Sequence, residues 1–149
     1  HKSVLIFEDD AVFDPEFEEF SAALFQRIDS GLYKLAVSPP VVAELLPAPE
    51  RVLQYFERYS QNATFIDVDG EVDALQAAYL REGIVSPKYQ LDALHVSLAT
   101  VGSCRAIVSW NFKHIVQMDR IRRYNAVNKL LGYNELSIHA PPEIAKDEA

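Results

Sequence analysis

A chain of 149 residues, 49% of them hydrophobic, carries enough apolar surface for one domain with a packed core. Its formal net charge of −8 argues against indiscriminate coating of nucleic acid, and no apolar run reaches the length needed to span a bilayer. The single cysteine, Cys104, excludes an internal disulfide framework and is expected as a small buried apolar residue. With no basic-apolar-small leader read at the start, a cytoplasmic location is the expectation.

Val4–Phe7 reads as a buried strand that runs into three acids, Glu8, Asp9 and Asp10. Asp14 caps a helix with Pro15 at its first position; Phe17, Phe20, Leu24 and Ile28 share one face, and Gly31 stops it. Leu32–Val37 is a second strand. Ser38-Pro39-Pro40 then starts a short helix carrying Glu44, and Pro47 and Pro49 separate it from a helix over Glu50–Ser60. Thr64–Val68 reads as a third short strand, and Asp69 caps a helix through Leu80 that Gly83 ends. Pro87 precedes a helix centred on "LDALHVSLAT", and Ala106–Ser109 is strand-like. A helix from Met118 ends at Gly132, and "ELSIHA" forms the last strand. Alternating strands and helices predict an α/β fold, a three-layer α/β/α sandwich around a parallel sheet of four or five strands, in one domain over 1–149.

Charge is unevenly spread. Residues 1–20 hold seven acids against Lys2, a net of −6. Residues 113–129 hold Lys113, Arg120, Arg122, Arg123 and Lys129 against Asp119, a net of +4. An acidic site beside a separate basic ridge suits a polyanion held near a metal; a solvated helix face explains the same charges without a ligand.

Three chemistries compete for the acids. The opening stretch resembles a response-regulator receiver domain, but that family needs an acceptor Asp later, and 50–60 reads "ERVLQYFERYS" with none. "FIDVDGEV" resembles the nucleophile motif of haloacid-dehalogenase-type phosphatases. It sits mid-chain, however, and an N-cap at Asp69 with Glu71 in the first helical turn explains it.

The third resemblance runs along the whole chain. "LDALHVSLATVGSCRAIVSWNFKHIV", then "YNAVNKLLGYNELSIHAPPEI", with "VVAELL" around Glu44 and "FDPEF" near the start, is similar to PIN domains, the ribonuclease fold of VapC-type toxins. Physical logic runs parallel to it. Hard divalent cations take oxygen ligands, phosphodiester hydrolysis needs an acidified water and a neutralised phosphoryl charge, and parallel sheets gather ligands at their carboxyl edge.

The resemblance implies an RNA-cleaving hydrolase that uses Mg²⁺ or Mn²⁺. It places Glu44 and Asp92 directly on the second and third acids of the family. Glu8 falls where the first Asp stands, Asp9 where a small hydroxyl residue is usual, and the loop before Phe13 is short, so the first motif is altered. Asn111 replaces an acid found in many PIN domains and is expected to orient a water. Glu8, Glu44 and Asp92 are thus the expected metal ligands, with Asp9 and Asn111 completing the catalytic set.

Lys113, His114, Arg120, Arg122 and Arg123 are the expected RNA contacts. His95, one turn after Asp92, is expected as a core histidine, with a supporting place at the site as the other reading. An antitoxin protein and a homodimer built on apolar helix faces, including Tyr55, Phe56 and Tyr59, are the expected partners. The reading from another class is a PIN-like domain with an impaired site that binds RNA or protein.

Overall fold

A computed structural model describes residues 2–7, 26–45, 50–109 and 117–139. Five strands form one sheet: β1 (Lys2–Phe7), β2 (Tyr33–Val37), β3 (Thr64–Phe65), β4 (Ala106–Ser109) and β5 (Ser137–His139). Their order is β3-β2-β1-β4-β5 and every pairing is parallel. Successive strands step outward from β1 on one side and then, from β4, on the other. The order therefore reverses between β1 and β4, whose last paired residues are Phe7 and Ser109. A crevice at the carboxyl ends of the strands at such a reversal is where open α/β sheets bind ligands.

Parallel strands are covered on both faces, and β2 shows it. Tyr33, Leu35, Ala36 and Val37 are buried, with only Lys34 exposed between them. β3 covers only the first part of the stretch expected to be strand. Ile66 N–H still reaches Val37 O at 2.8 Å, but Asp67 Oδ1 then accepts from Val68 N–H at 2.8 Å. That local side-chain bond competes with the ladder and ends it.

The helices are α1 (Pro39–Leu45), α2 (Glu50–Ser60), α3 (Gly70–Arg81), α4 (Gln90–Val101) and α5 (Met118–Leu130), with a 3-10 turn at Pro87–Tyr89 leading into α4. A helical stretch at 26–29 ends before Gly31. Asp69 caps α3 with its carboxylate on Val72 N–H at 2.9 Å, so the "DVDG" motif begins a helix here. Gly83 and Gly132 follow α3 and α5 at φ +67° and +85°, a conformation that a Cβ disfavours.

The core is built from Leu75, Tyr79, Val96, Leu98, Ile107 and Tyr124 with their neighbours. Each fully buried aliphatic side chain there contributes roughly 1.5–3 kcal/mol by leaving water. α4 is the central helix: from Asp92 to Thr100 every residue but Leu94 is buried. It packs most extensively on α3, where Ser97 Oγ donates to Val72 O at 2.6 Å. Cys104 is buried as expected, and burial pushes its thiol from 9.0 up to about 12. Among the described residues no helix is long and apolar enough to cross a membrane.

Candidate functional site

In a parallel α/β unit a helix runs antiparallel to its strands. α4 leads into β4, so its first turn lies toward the carboxyl edge. α5 follows β4 and also begins there. Asp92 in the first turn of α4 and Arg120 in the first turn of α5 are therefore brought to the same side of the sheet. Glu44 rides on α1, the helix that leaves the carboxyl end of β2.

Asp92 is 1% exposed and His95, one turn on, is 0% exposed. Both belong to a helix buried almost all round. A carboxylate taken this far from water persists only where donors or a cation meet it. His95 accordingly belongs to the core at this end of α4.

Tyr124 faces the same region from α5. Burial raises the pKa of its hydroxyl well above the usual range, the Asp92 carboxylate raises it further, and Tyr79 adds to the rise while Arg120 opposes it. Arg120 is half-buried and lies one turn before Tyr124 on the same helix face. Carboxylate, phenol and guanidinium thus form one electrostatic neighbourhood beside the sheet edge.

Two buried hydroxyls in the described residues have no hydrogen-bond partner: Tyr124 OH and Ser38 Oγ. Ser38, 0% exposed, closes β2 at the carboxyl edge. Its backbone carbonyl accepts from Val42 N–H at 3.1 Å and starts α1, but its hydroxyl does not cap that helix. No motif in the sequence assigns either residue a role. Tyr124, the one aromatic residue in "MDRIRRYNAVNKL", is buried with Asn128 on the inward side of α5.

The three arginines of the basic stretch do not share one face. Arg122 lies roughly 160° around the helix from Arg120 and is exposed. Arg123 is exposed and donates from Nη2 to Glu82 O at 2.7 Å, holding the carboxyl end of α3. Only Arg120 is coupled to the Asp92 neighbourhood. Glu8, Asp9, Asn111, Lys113 and His114 lie outside the described residues. Among the described residues no group of three or more His, Cys, Asp and Glu side chains comes together. Asp92 is the one sequence-predicted acid whose side chain is described here, and a carboxylate is an oxygen donor of the kind a hard cation takes.

Of the aromatic residues expected at a dimer interface, Phe56 is half-buried against the core. Tyr59 is also half-buried, with its hydroxyl donating to Asp29 Oδ2 at 2.7 Å. The large exposed apolar side chains among the described residues include Leu130, Met118, Phe65 and Leu131, none of them on α2.

No family model matches the chain, and no curated protein matches it. Among solved structures, a chain of VapBC2 from Rickettsia felis, crystallised bound to a DNA fragment from their promoter, superposes with a TM-score of 0.55. The alignment covers 93% of this chain and 98% of that one at 14% sequence identity. The two share a fold.

Proposed function

We propose that the chain is a PIN-like domain that hydrolyses RNA phosphodiester bonds with Mg²⁺ or Mn²⁺, as the toxin of a toxin–antitoxin pair. The observation that carries this reading is Asp92: a buried acid in the first turn of the central helix, at the end of that helix that lies by the carboxyl edge of a parallel sheet. The fold shared with a VapBC2 chain supports it, as does the run of motifs around Glu44, Asp92 and Asn111.

In this reading Asp92 and Glu44 supply oxygen ligands, with Glu8 or Asp9 as the altered first acid. A divalent cation bound there supplies Lewis acidity and a more acidic water. Asn111 orients the attacking water. Arg120, in the first turn of α5 at the same edge, offsets negative charge where the phosphate approaches. Lys113 and His114 extend the contact along the RNA backbone, which positions the substrate without reading its sequence. An antitoxin and a second copy of the chain are the proposed protein partners.

The test is cleavage of single-stranded RNA by the purified chain with Mg²⁺, with Mn²⁺ and with chelator. Metal-dependent cleavage is expected. Asp92→Asn keeps the side-chain size and removes the charge, and should lower the rate at least about a hundredfold, about 3 kcal/mol of transition-state stabilisation. Wild-type protein that binds RNA but leaves it uncut with every metal would replace the nuclease by a binding module.

A further inference from the structure

The amino end of β2 is flanked by a strand on one side only. β3 pairs with Ala36 and Val37, so Tyr33–Leu35 have β1 beside them and, among the described residues, no strand on the other flank. A cleft of about 270 Å³ lies against this stretch. Ile28 lines it from the helical stretch at 26–29, and Tyr59 and Asn62 line it from the end of α2 and the turn before β3. Asp92, Arg120 and Glu44 ride on helix ends at the opposite, carboxyl edge of the sheet. The cleft is therefore a separate place on the molecule.

Its lining sets the chemistry it can hold. Ile28, Leu35 and the two tyrosines make it mostly apolar. The Tyr59 ring is fixed: its hydroxyl donates to Asp29 Oδ2 at 2.7 Å, and the Arg58 guanidinium stands 5.2 Å from the ring centre. Lys34 is the one charged residue among the described residues that line the cleft. It is exposed and has no ion pair. An apolar slot with one unpaired ammonium suits an occupant with an apolar body and one negative charge. Size narrows the choice. A cavity of about 150 Å³ admits benzene, and pockets for drug-sized ligands start at about 300 Å³. This cleft falls between them, with room for one ring and a short arm. A phosphate would bring a second negative charge toward Asp29, the acceptor of the Tyr59 hydroxyl, with a single lysine to meet it.

We propose that this cleft is a binding site for a small aromatic monocarboxylate, its ring against Leu35 and Tyr59 and its carboxylate on the Lys34 ammonium. The inference stands apart from the metal-site reading and survives if that reading fails.

The experiment is NMR titration of the isotope-labelled whole chain with hydrocinnamate, a phenyl ring on a three-carbon acid, and with its neutral amide. Hydrocinnamate should shift the backbone N–H signals of Lys34, Leu35 and Asn62 and reach saturation. The neutral amide should bind about fivefold more weakly, the upper end for an exposed ion pair. Lys34→Met keeps the stem and removes the charge, and should bring the acid down to the affinity of the amide. No saturable shift of these signals up to about ten millimolar acid would overturn the proposal. So would equal affinity of the two probes for wild type, a comparison that needs no variant to fold. A folded Lys34→Met that still prefers the acid by the full factor would overturn it as well.

Discussion

Tyr79 and Tyr124 touch edge to face, yet their hydroxyls live in opposite circumstances. Tyr79 donates to Asn128 Oδ1 and lies 3.3 Å from Thr100 Oγ1. Asn128 Nδ2 reaches the same Thr100 oxygen at 3.3 Å, and Thr100 Oγ1 donates to Val96 O at 2.8 Å. Asn125 extends the network by exchanging bonds with Leu136, accepting from its N–H at 2.7 Å and donating to its carbonyl at 2.8 Å. These bonds tie α3, α4 and α5 to the segment leading into β5. Tyr124, edge to face with Tyr79, has no such partner. Buried polar groups that satisfy one another specify a fold. One region holds the helices together; the other is where chemistry is proposed.

The difference can be sharpened by breaking the satisfied region first. Asn128→Ala removes an acceptor and a donor at once and leaves Tyr79 with a single weak partner. It should cost about 2–3 kcal/mol in chemical denaturation. RNA cleavage per folded molecule should hardly change. A large loss of cleavage at full folding would mean that the two regions act as one.

A smaller effect is expected at Gly102, which follows α4. A Cβ there would stand 2.5 Å from Ile66 Cδ1 and 2.9 Å from the Leu98 carbonyl oxygen. Ile66 can shift but the carbonyl cannot, so Gly102→Ala should cost about 1–3 kcal/mol by overpacking. This position is at the end of α4 away from Asp92, so metal affinity should be retained. Melting curves and Mn²⁺ titration of the same variant check both halves.

The smallest effect in neutral solution concerns pH. The Cys104 thiol and the Tyr79 and Tyr124 hydroxyls all have raised values in the folded chain, burial being the first cause for each. A raised acid stays protonated when folded but loses its proton on unfolding. The stability it contributes is therefore complete below its ordinary value and is lost as pH rises toward the folded one. Stability should be flat up to the thiol's 9.0 and decline above it, with the tyrosines joining above 10.0. Cys104→Ala should remove the first part of that decline, measured as the denaturation midpoint between pH 8 and 10. A decline of unchanged shape would assign it to other groups.

Much of this was legible in the sequence. Glu50–Ser60 and Ala106–Ser109 were read at the bounds the structure gives them, and Asp69 was read as a cap because its acid precedes an apolar helical run. Asp92 is singled out by the resemblance, which matches it to the third family acid, and it is the site acid the structure places in a first helical turn. Linear patterns fail where the deciding partner is remote or the geometry is angular. The strand after Thr64 is cut short by the side chain of Asp67, a local bond that strand propensity does not register. The basic stretch looked like one ridge because net charge ignores the helical turn, which sends Arg122 away from Arg120 while Arg123 binds Glu82. Tyr124 and Ser38 become notable only after tertiary packing has buried them without partners. No sequence window contains that information.

The most direct test sets one residue from each region side by side. Asp92→Asn and Asn128→Ala are compared with wild type for Mg²⁺-dependent cleavage of single-stranded RNA and for thermal midpoint, in the same preparations. The account predicts that Asp92→Asn loses cleavage and keeps its midpoint, whereas Asn128→Ala loses midpoint and keeps cleavage per folded molecule. Asp92→Asn that still cleaves RNA at the wild-type rate would contradict it.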